Sequence, residues 1–314
     1  MQYRRLGSAG MQVSSAALGG WINFGEGKMA HDTAQAIVTT AYDAGINFFD
    51  LADIYARGEA ERQMGKVLQQ FPRQSLVIST KVFWPMSEAV TDHGLSRKHI
   101  MESIEASLRR LGTDYVDIYF CHRADPDTPI IETVRAMDDL IHQGKVLYWG
   151  TSEWSGEQIA EAYDLCQQHG YYAPQSEQPQ YSLLYRERVE GEILPVTEPR
   201  GIGLVVFSPL AQGMLTGKYD AGVPEGSRFA KEDWAREQLL NDANVNKVRA
   251  LKEVADELGV TRSQLALAWV LRQPGVSSVI TGATQPEQVA ENLKAADLIL
   301  TPDVLARIDG IVQG

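Results

Sequence analysis

The chain has almost no cysteine. Cys121 and Cys166 are the only two among 314 residues, far apart and each in an apolar segment. Two isolated thiols cannot form the framework of a disulfide scaffold, and they fit reduced side chains in a cytosol. No apolar run approaches the ~18 residues of a membrane helix, and Met1-Gln2-Tyr3-Arg4-Arg5 leads into no stretch of signal length. Positive charge is scarce: 29 Lys and Arg face 41 Asp and Glu, a net charge of −12. So acidic a chain is a poor partner for nucleic acid or an anionic membrane. The six histidines, at 31, 93, 99, 122, 142 and 169, show no metal-ligand spacing. There is no phosphate loop, and Gly201-Ile202-Gly203 precedes its strand, so it is not a Rossmann turn. Fixed-period repeats, low-complexity tracts and domain linkers are also missing. These absences predict a soluble, cytoplasmic protein with no nucleic-acid partner, no membrane insertion and no metal.

Apolar residues make up 44% of the chain, enough for one large core without staples. The length suits a one-domain α/β barrel of ~250 residues plus insertions. Residues 2–6 and 12–16 read as a hairpin around Gly7-Ser8-Ala9-Gly10. Beyond it, strand-like runs fall at 16–19, 46–49, 76–80, 115–120, 146–150, 174–178, 202–207 and 277–281. Helical stretches alternate with them at 31–44, 58–70, 97–111, 129–143, 155–168, 187–198, 261–272 and 286–297. Ser96, Ser155 with Gln158, Thr261 with Gln264, and Pro286 are start signals for four of these helices, and 301–314 reads as one more, outside the barrel. Eight strand–helix units predict a single (β/α)8 TIM barrel over 1–314 with an N-terminal β-hairpin. The segment 208–243 breaks the rhythm with Pro209, Gly213, Gly217, Gly222, Pro224 and Gly226. A loop that long after strand seven usually has a task.

Ile46 to Phe49 is a short buried run that ends in Asp50, with Tyr55 five residues later. Strand three ends at Lys81 and strand four at His122. In such barrels the C-terminal strand ends face the site, and ionisable groups are costly to bury unless clustered. Lys81 is expected to pair with Asp50 and to lower the pKa of the Tyr55 phenol, ordinarily ~10. Tyr55 would then give a proton to a carbonyl oxygen, with His122 as a second hydrogen-bond partner. The chain carries no hydride, so a reduced nicotinamide is required. Read alone, Lys81–Asp50 is more often a structural ion pair and His122 a satisfied core or surface histidine; the set is informative because its members share one mouth. Lys218 and Arg228, beside Gly217 and Ser227, suit phosphate binding, but on their own they read first as solvated loop charges.

These residues resemble the aldo-keto reductases, and more narrowly the branch that includes the β subunits of voltage-gated potassium channels. The resemblance runs from about Tyr3 to Leu300. It rests on Gly45-Ile46-Asn47-Phe48-Phe49-Asp50 with Tyr55, Thr80-Lys81, Asp125-Pro126 with Thr128-Pro129, and Glu132-Thr133-Val134-Arg135-Ala136-Met137. Tyr148-Trp149-Gly150-Thr151-Ser152, Phe207-Ser208-Pro209-Leu210, Gly217-Lys218-Tyr219-Asp220 and Gly275-Val276-Ser277-Ser278-Val279 continue it.

The resemblance implies an NADPH-dependent reductase of small carbonyl compounds, with Asp50, Tyr55, Lys81 and His122 as its catalytic tetrad. It implies cofactor contacts as well: Gly20, Trp21 and Asp50 near the nicotinamide ribose, Ser152 and Gln178 at the carboxamide, and Phe207 stacked on the nicotinamide. Ser208, Pro209, Leu210, Ala211, Gln212 and Gly213, with Lys218, would follow the pyrophosphate of NADPH or NADP+. Arg228 would meet the 2′-phosphate, and Gly282, Thr284, Gln288, Glu291 and Asn292 the adenosine end. The channel subunits carry Asn where His122 stands and turn over slowly, so His122 argues for a working reductase. They stack a Trp where this chain has Phe207, and the pore-blocking N-terminal extension of some of them has no counterpart here. Two other readings stay in play: a non-enzymatic NADPH-binding regulator, and a Schiff-base barrel built on Lys81. Specificity is expected from the mouth loops, 21–29, 82–94 and 208–243, with Trp84 and Trp154 lining an aromatic entrance. A homo-oligomer is left open.

Overall fold

The computed structural model describes residues 1–25 and 27–313. Glu26, in the first mouth loop, and Gly314, at the end of the expected terminal helix, lie outside the described residues.

Two short strands, β1 (Tyr3–Arg5) and β2 (Gln12–Ser14), form an antiparallel hairpin. Eight parallel strands then close a barrel: β3 (Ala16–Gly19), β4 (Phe48–Asp50), β5 (Val77–Val82), β6 (Val116–Cys121), β7 (Val146–Ser152), β8 (Ser176–Gln178), β9 (Gly203–Val206) and β10 (Val276–Thr281), the last pairing with β3. Around them run α1 (His31–Asp43), α2 (Glu59–Leu68), α3 (Arg97–Leu111), α4 (Ile130–His142), α5 (Gly156–His169) and α6 (Leu194–Thr197). Then follow α7 (Arg228–Lys231), α8 (Asp233–Leu239), α9 (Asp242–Glu257), α10 (Arg262–Leu271), α11 (Pro286–Leu293) and α12 (Pro302–Gln313). This is the expected (β/α)8 barrel with its hairpin.

The strand period of two sorts the side chains. Phe48, Val77, Ile118, Phe120 and Val205 point into the lumen, where Leu6, Ala9 and Val13 of the hairpin plug the N-terminal end. Their alternates, such as Leu18, Phe49, Ile78, Tyr119 and Trp149, face the helices. Each fully buried Phe contributes about 1.5–3 kcal/mol. The same parity carries the inward set upward: Asp50 lies two residues beyond Phe48, Ser79 and Lys81 two and four beyond Val77, and His122 two beyond Phe120. An apolar plug below therefore fixes which polar groups face the mouth above.

The hairpin is clamped by backbone as well as by packing. Arg4 donates to the Val276 carbonyl at 2.8 Å, and the Ser8 amide donates to the Gly201 carbonyl at 2.7 Å. Gly7 sits at φ +56°, and a Cβ there would come within 2.2 Å of the Gly201 oxygen, so only glycine fits. On the outer layer, a Cβ on Gly65 of α2 would meet the Leu111 carbonyl oxygen of α3 at 2.6 Å, which sets how close these helices approach.

The expected helix starts hold. The Ser96 hydroxyl accepts from the His99 amide, Ser155 with Gln158 and Thr261 with Gln264 form capping boxes, and Pro286 occupies the first turn of α11. Several boundaries differ. Strand β4 starts at Phe48 and includes Asp50, because the Asn47 side chain turns to the hairpin and accepts from the Ser14 amide at 2.7 Å. The expected 187–198 helix is a π-helical turn at Val189–Ile193, then α6, then a 3-10 turn at Glu198–Arg200. Helix α11 stops at Leu293 and continues as a 3-10 turn to Asp297. The long excursion after β9 is not one loop: it holds a 3-10 segment, Ala211–Thr216, then α7, α8 and the start of α9. Helix α9 was not anticipated, although Asn241 caps it and Val248, Leu251, Val254 and Ala255 form its buried stripe.

Candidate active site

Asp50, Lys81 and Tyr55 meet at the barrel mouth. The Asp50 carboxylate accepts from Lys81 Nζ at 2.7 Å, Ser79 Oγ at 2.7 Å and Gln178 Nε2 at 2.9 Å. Lys81 is fully buried and spends its protons on Asp50, on the Leu51 carbonyl at 2.6 Å and on the Tyr55 hydroxyl at 3.2 Å. Burial opposes its charge, but Asp50 and then Tyr55 outweigh that and hold its pKa above the ordinary lysine value. The site therefore contains a fixed ammonium.

Tyr55 sits in a tight turn, Tyr55–Gly58, in which Ala56 and Arg57 adopt φ of 49° and 52°. Left-handed geometry at two non-glycine residues costs energy, and such strain collects where a side chain must be aimed. The expectation for the phenol needs correcting: its pKa is raised, not lowered, because burial outweighs the pull of Lys81 and Asp50 adds to the rise.

His122 lies edge-on to Tyr55, with ring centroids 5.8 Å apart and planes at 78°. Burial, then Lys81 and Arg123, push its pKa well below the usual histidine value, so the ring is neutral at pH 7. Its Nδ1 is buried without a hydrogen-bond partner among the described residues.

A cleft of about 1360 Å³ opens from these groups towards α7 and α11. Small-ligand pockets hold ~300–1,000 Å³, so this one suits a larger ligand plus a second small one. Asp50, Ser152 and Gln178 line its deep end with Trp21 and Phe207. Ser208, Pro209, Leu210, Gln212, Gly213, Lys218 and Arg228 line its middle, and Gly282, Thr284, Gln288, Glu291 and Asn292 its far end. Gly20 and Ala211 do not line it. Gly20 packs on Leu51 and donates to the Asp50 carbonyl, while Ala211 is buried in the outer core. Arg228 donates to Gln212 Oε1 and lies over the Trp21 ring, 5.7 Å from its centroid, and Trp21 in turn meets Trp234 at 5.9 Å. Neither Arg228 nor Lys218 has a carboxylate salt-bridge partner among the described residues. Of the two expected entrance tryptophans, Trp84 lines the cleft, but Trp154 is a core residue at 1% exposure.

Sequence reasoning missed Arg123, which follows His122 and lines the same end of the cleft. It also missed two buried carboxylates behind Tyr55. Asp53 accepts from the Ile54 amide at 2.6 Å and Ser103 Oγ at 2.9 Å, and its pKa is pushed up to about 7 by burial and then by Glu61. Glu61 accepts from Thr80 and pairs with Arg110. Glu61 falls on the buried stripe of α2 with Ala60, Met64 and Gly65, a signal available in the sequence.

Both cysteines are free and buried. No helix is long and apolar enough to cross a membrane among the described residues, and no cluster of potential metal ligands occurs there.

Comparison with known proteins agrees with the geometry. The whole chain aligns with 97% of a probable voltage-gated potassium channel subunit beta of Arabidopsis thaliana at 49% identity. It aligns as completely with a protein of the same description from Oryza sativa subsp. japonica, at 47% identity and 97% coverage of that protein. Residues 16–313 match the family model of the aldo/keto reductases, and the chain belongs to that family.

Proposed function

We propose that the chain is an NADPH-dependent reductase that converts aldehydes and ketones to alcohols. The observation that carries this reading is the buried Lys81 ammonium, 2.7 Å from Asp50 and 3.2 Å from the Tyr55 hydroxyl, with a neutral His122 ring facing the same phenol. The cleft suits a dinucleotide in size. Its middle offers Lys218 and Arg228, two cations with no carboxylate salt bridge among the described residues, for phosphates, and its deep end offers Ser152 and Gln178 for a carboxamide and Phe207 for a ring face. Arg228 would read the 2′-phosphate. When bound, NADPH supplies the hydride that the chain lacks.

The protein's own residues handle the proton. The Tyr55 hydroxyl donates to the substrate's carbonyl oxygen as negative charge develops there, and Lys81 stabilises the phenolate left behind. Because His122 is neutral, its N–H donates a hydrogen bond to that oxygen and does not compete as the acid. Asp50 keeps the ammonium charged and aimed, with Ser79 and Gln178 fixing the carboxylate. The Gln178 amide already donates to Asp50, so its remaining capacity towards a cofactor lies in its second N–H and its oxygen.

Tyr55→Phe is the test. Carbonyl reduction should fall to the background rate while NADPH binding, followed by nicotinamide fluorescence, stays within a few-fold of wild type. Substantial turnover by Tyr55→Phe would overturn the proton-donor role. The names of the two relatives favour a second reading, a cofactor-binding regulatory subunit. That protein would bind NADPH and show no reduction with any carbonyl substrate.

A further inference from the structure

The catalytic end of the cleft carries one charge that the mechanism does not use. Arg123 extends from the residue after His122 and lines the cleft beside Tyr55 and Trp84. Its guanidinium lies 5.9 Å from the Trp84 ring centroid, and Trp84 stands edge-on to His122 at 6.4 Å and 79°. One N–H donates to the His122 backbone carbonyl. The remaining N–H groups have no acceptor, and the side chain has no carboxylate partner, among the described residues.

The local charges do not cancel. Among the described residues, Asp50 is the carboxylate that lines this end, and Lys81 neutralises it. His122 is neutral. Glu287 and Glu291 line the cleft from α11, at its far end, and Glu232 lines its middle, where it accepts from Trp234 and lies near Arg228. Arg123 therefore leaves a net positive charge at the reaction centre of a chain whose total is −12. A half-buried cation beside a buried ammonium is repelled by it, and an anionic ligand would supply the counter-charge. A planar guanidinium is also the group best matched to two oxygens of one anion.

Accepting the reductase reading, on which this rests, we propose that Arg123 selects carbonyl substrates that carry a carboxylate or a phosphate. The anion pairs with the guanidinium, the carbonyl oxygen reaches Tyr55 and His122, and the Trp84 face packs on the carbon chain between them. Arg123 and His122 are consecutive residues, so carbonyl and anion are separated by only a few bonds.

The test compares matched substrates with NADPH: 4-oxobutanoate against butanal for the carboxylate, and glycolaldehyde phosphate against glycolaldehyde for the phosphate. Wild type should favour the charged member of at least one pair by about tenfold or more in kcat/KM, as a charge-assisted hydrogen-bonded pair implies. The pair with the larger ratio identifies the anion. That ratio should shrink as salt rises, since the anion approaches through solvent. Arg123→Ala should abolish the preference, and Arg123→Lys, which keeps charge but loses the fork, should retain part of it. Equal kcat/KM for charged and neutral members in the wild type would overturn the proposal and leave the reductase reading standing. A preference that survives Arg123→Ala would overturn it too, and would show a purely structural role in bracing the His122 carbonyl and Trp84. Failure to reduce any of the four compounds would count against the reductase reading itself.

Discussion

Breaking the Lys81–Asp50 pair one side at a time gives a sharp test of what holds the site together. Lys81 is fully buried and Asp50 nearly so, and their charged atoms are 2.7 Å apart. Asp50→Asn leaves an ammonium in the core with neutral acceptors alone, the Leu51 carbonyl, the Tyr55 hydroxyl and the new amide oxygen. Lys81→Met leaves a carboxylate with only the Ser79 hydroxyl and the Gln178 amide. In either case an uncompensated charge stays buried, and each single change should cost about 3–5 kcal/mol. At about 2 °C per kcal/mol for a chain of this size, each should lower Tm by roughly 6–10 °C. The double variant Asp50→Asn/Lys81→Met has no charge to strand. It should therefore be more stable than either single variant, a coupling of about 3 kcal/mol or more in the cycle. Melting curves and denaturant titrations on cofactor-free protein would read this without ligand linkage. Additive losses, with the double variant worse than each single, would refute the claim that the two charges sustain each other.

Arg228→Ala should weaken NADPH by tenfold or more while changing NADH by no more than a few-fold, measured by fluorescence titration; equal losses would show that Arg228 does not read the 2′-phosphate. The buried carboxyls make a separate prediction about pH. Burial and then Glu61 raise Asp53 from 3.8 to about 7, and burial and then Glu153 raise Glu177 from 4.5 to about 8 against the opposing hydroxyl of Thr151. Between the unfolded and folded values the native state keeps a proton that the unfolded chain has released. Stability from these two groups therefore falls as pH rises from about 4 to 8 and levels above that, by up to roughly 1.4 kcal/mol per pH unit for each group. Asp53→Asn and Glu177→Gln should each flatten the fall in urea-unfolding stability over that range; an unchanged slope would mean that these carboxyls ionise normally.

The barrel was legible because its strand–helix units announce themselves locally, through apolar runs and caps such as Ser155 with Gln158. The strand-end residues were legible for a related reason. Once Phe48 and Phe120 are assigned to the lumen, Asp50 and His122 must follow them two residues on. What local pattern could not supply was depth. Trp154 looks like an entrance residue until the packing shows it buried, and the Tyr55 phenol looks acidified until the burial of the whole group is weighed. The excursion after β9 was read as a loop because its glycines and prolines hide short helices whose apolar sides, Phe229, Ala235 and Leu239, are set by tertiary contacts. Arg123 was overlooked because the reading stopped at the last strand residue, although the mouth of a barrel begins one residue later.

The raised phenol changes how the site should be understood. Had Lys81 acidified Tyr55 strongly, the resting enzyme would hold a phenolate, which has no proton to give. Instead burial wins in the ground state, and the hydroxyl stays protonated at neutral pH. In the proposed mechanism Lys81 would act mainly after the proton starts to leave, when the same low-dielectric surroundings that penalise a lone phenolate strengthen its attraction to an ammonium 3.2 Å away. Its contribution would then be concentrated in the transition state, which is where an interaction accelerates a reaction. The neutral imidazole fits the same logic. A charged His122 would be a stronger acid than Tyr55 and would divert the proton transfer, and the burial and two cations that hold its pKa down keep it a hydrogen-bond donor only. On the proposed reading Arg123 would have two effects from one position: it helps keep His122 neutral, and it would offer an incoming anion the positive charge that Lys81, committed to Asp50, cannot provide.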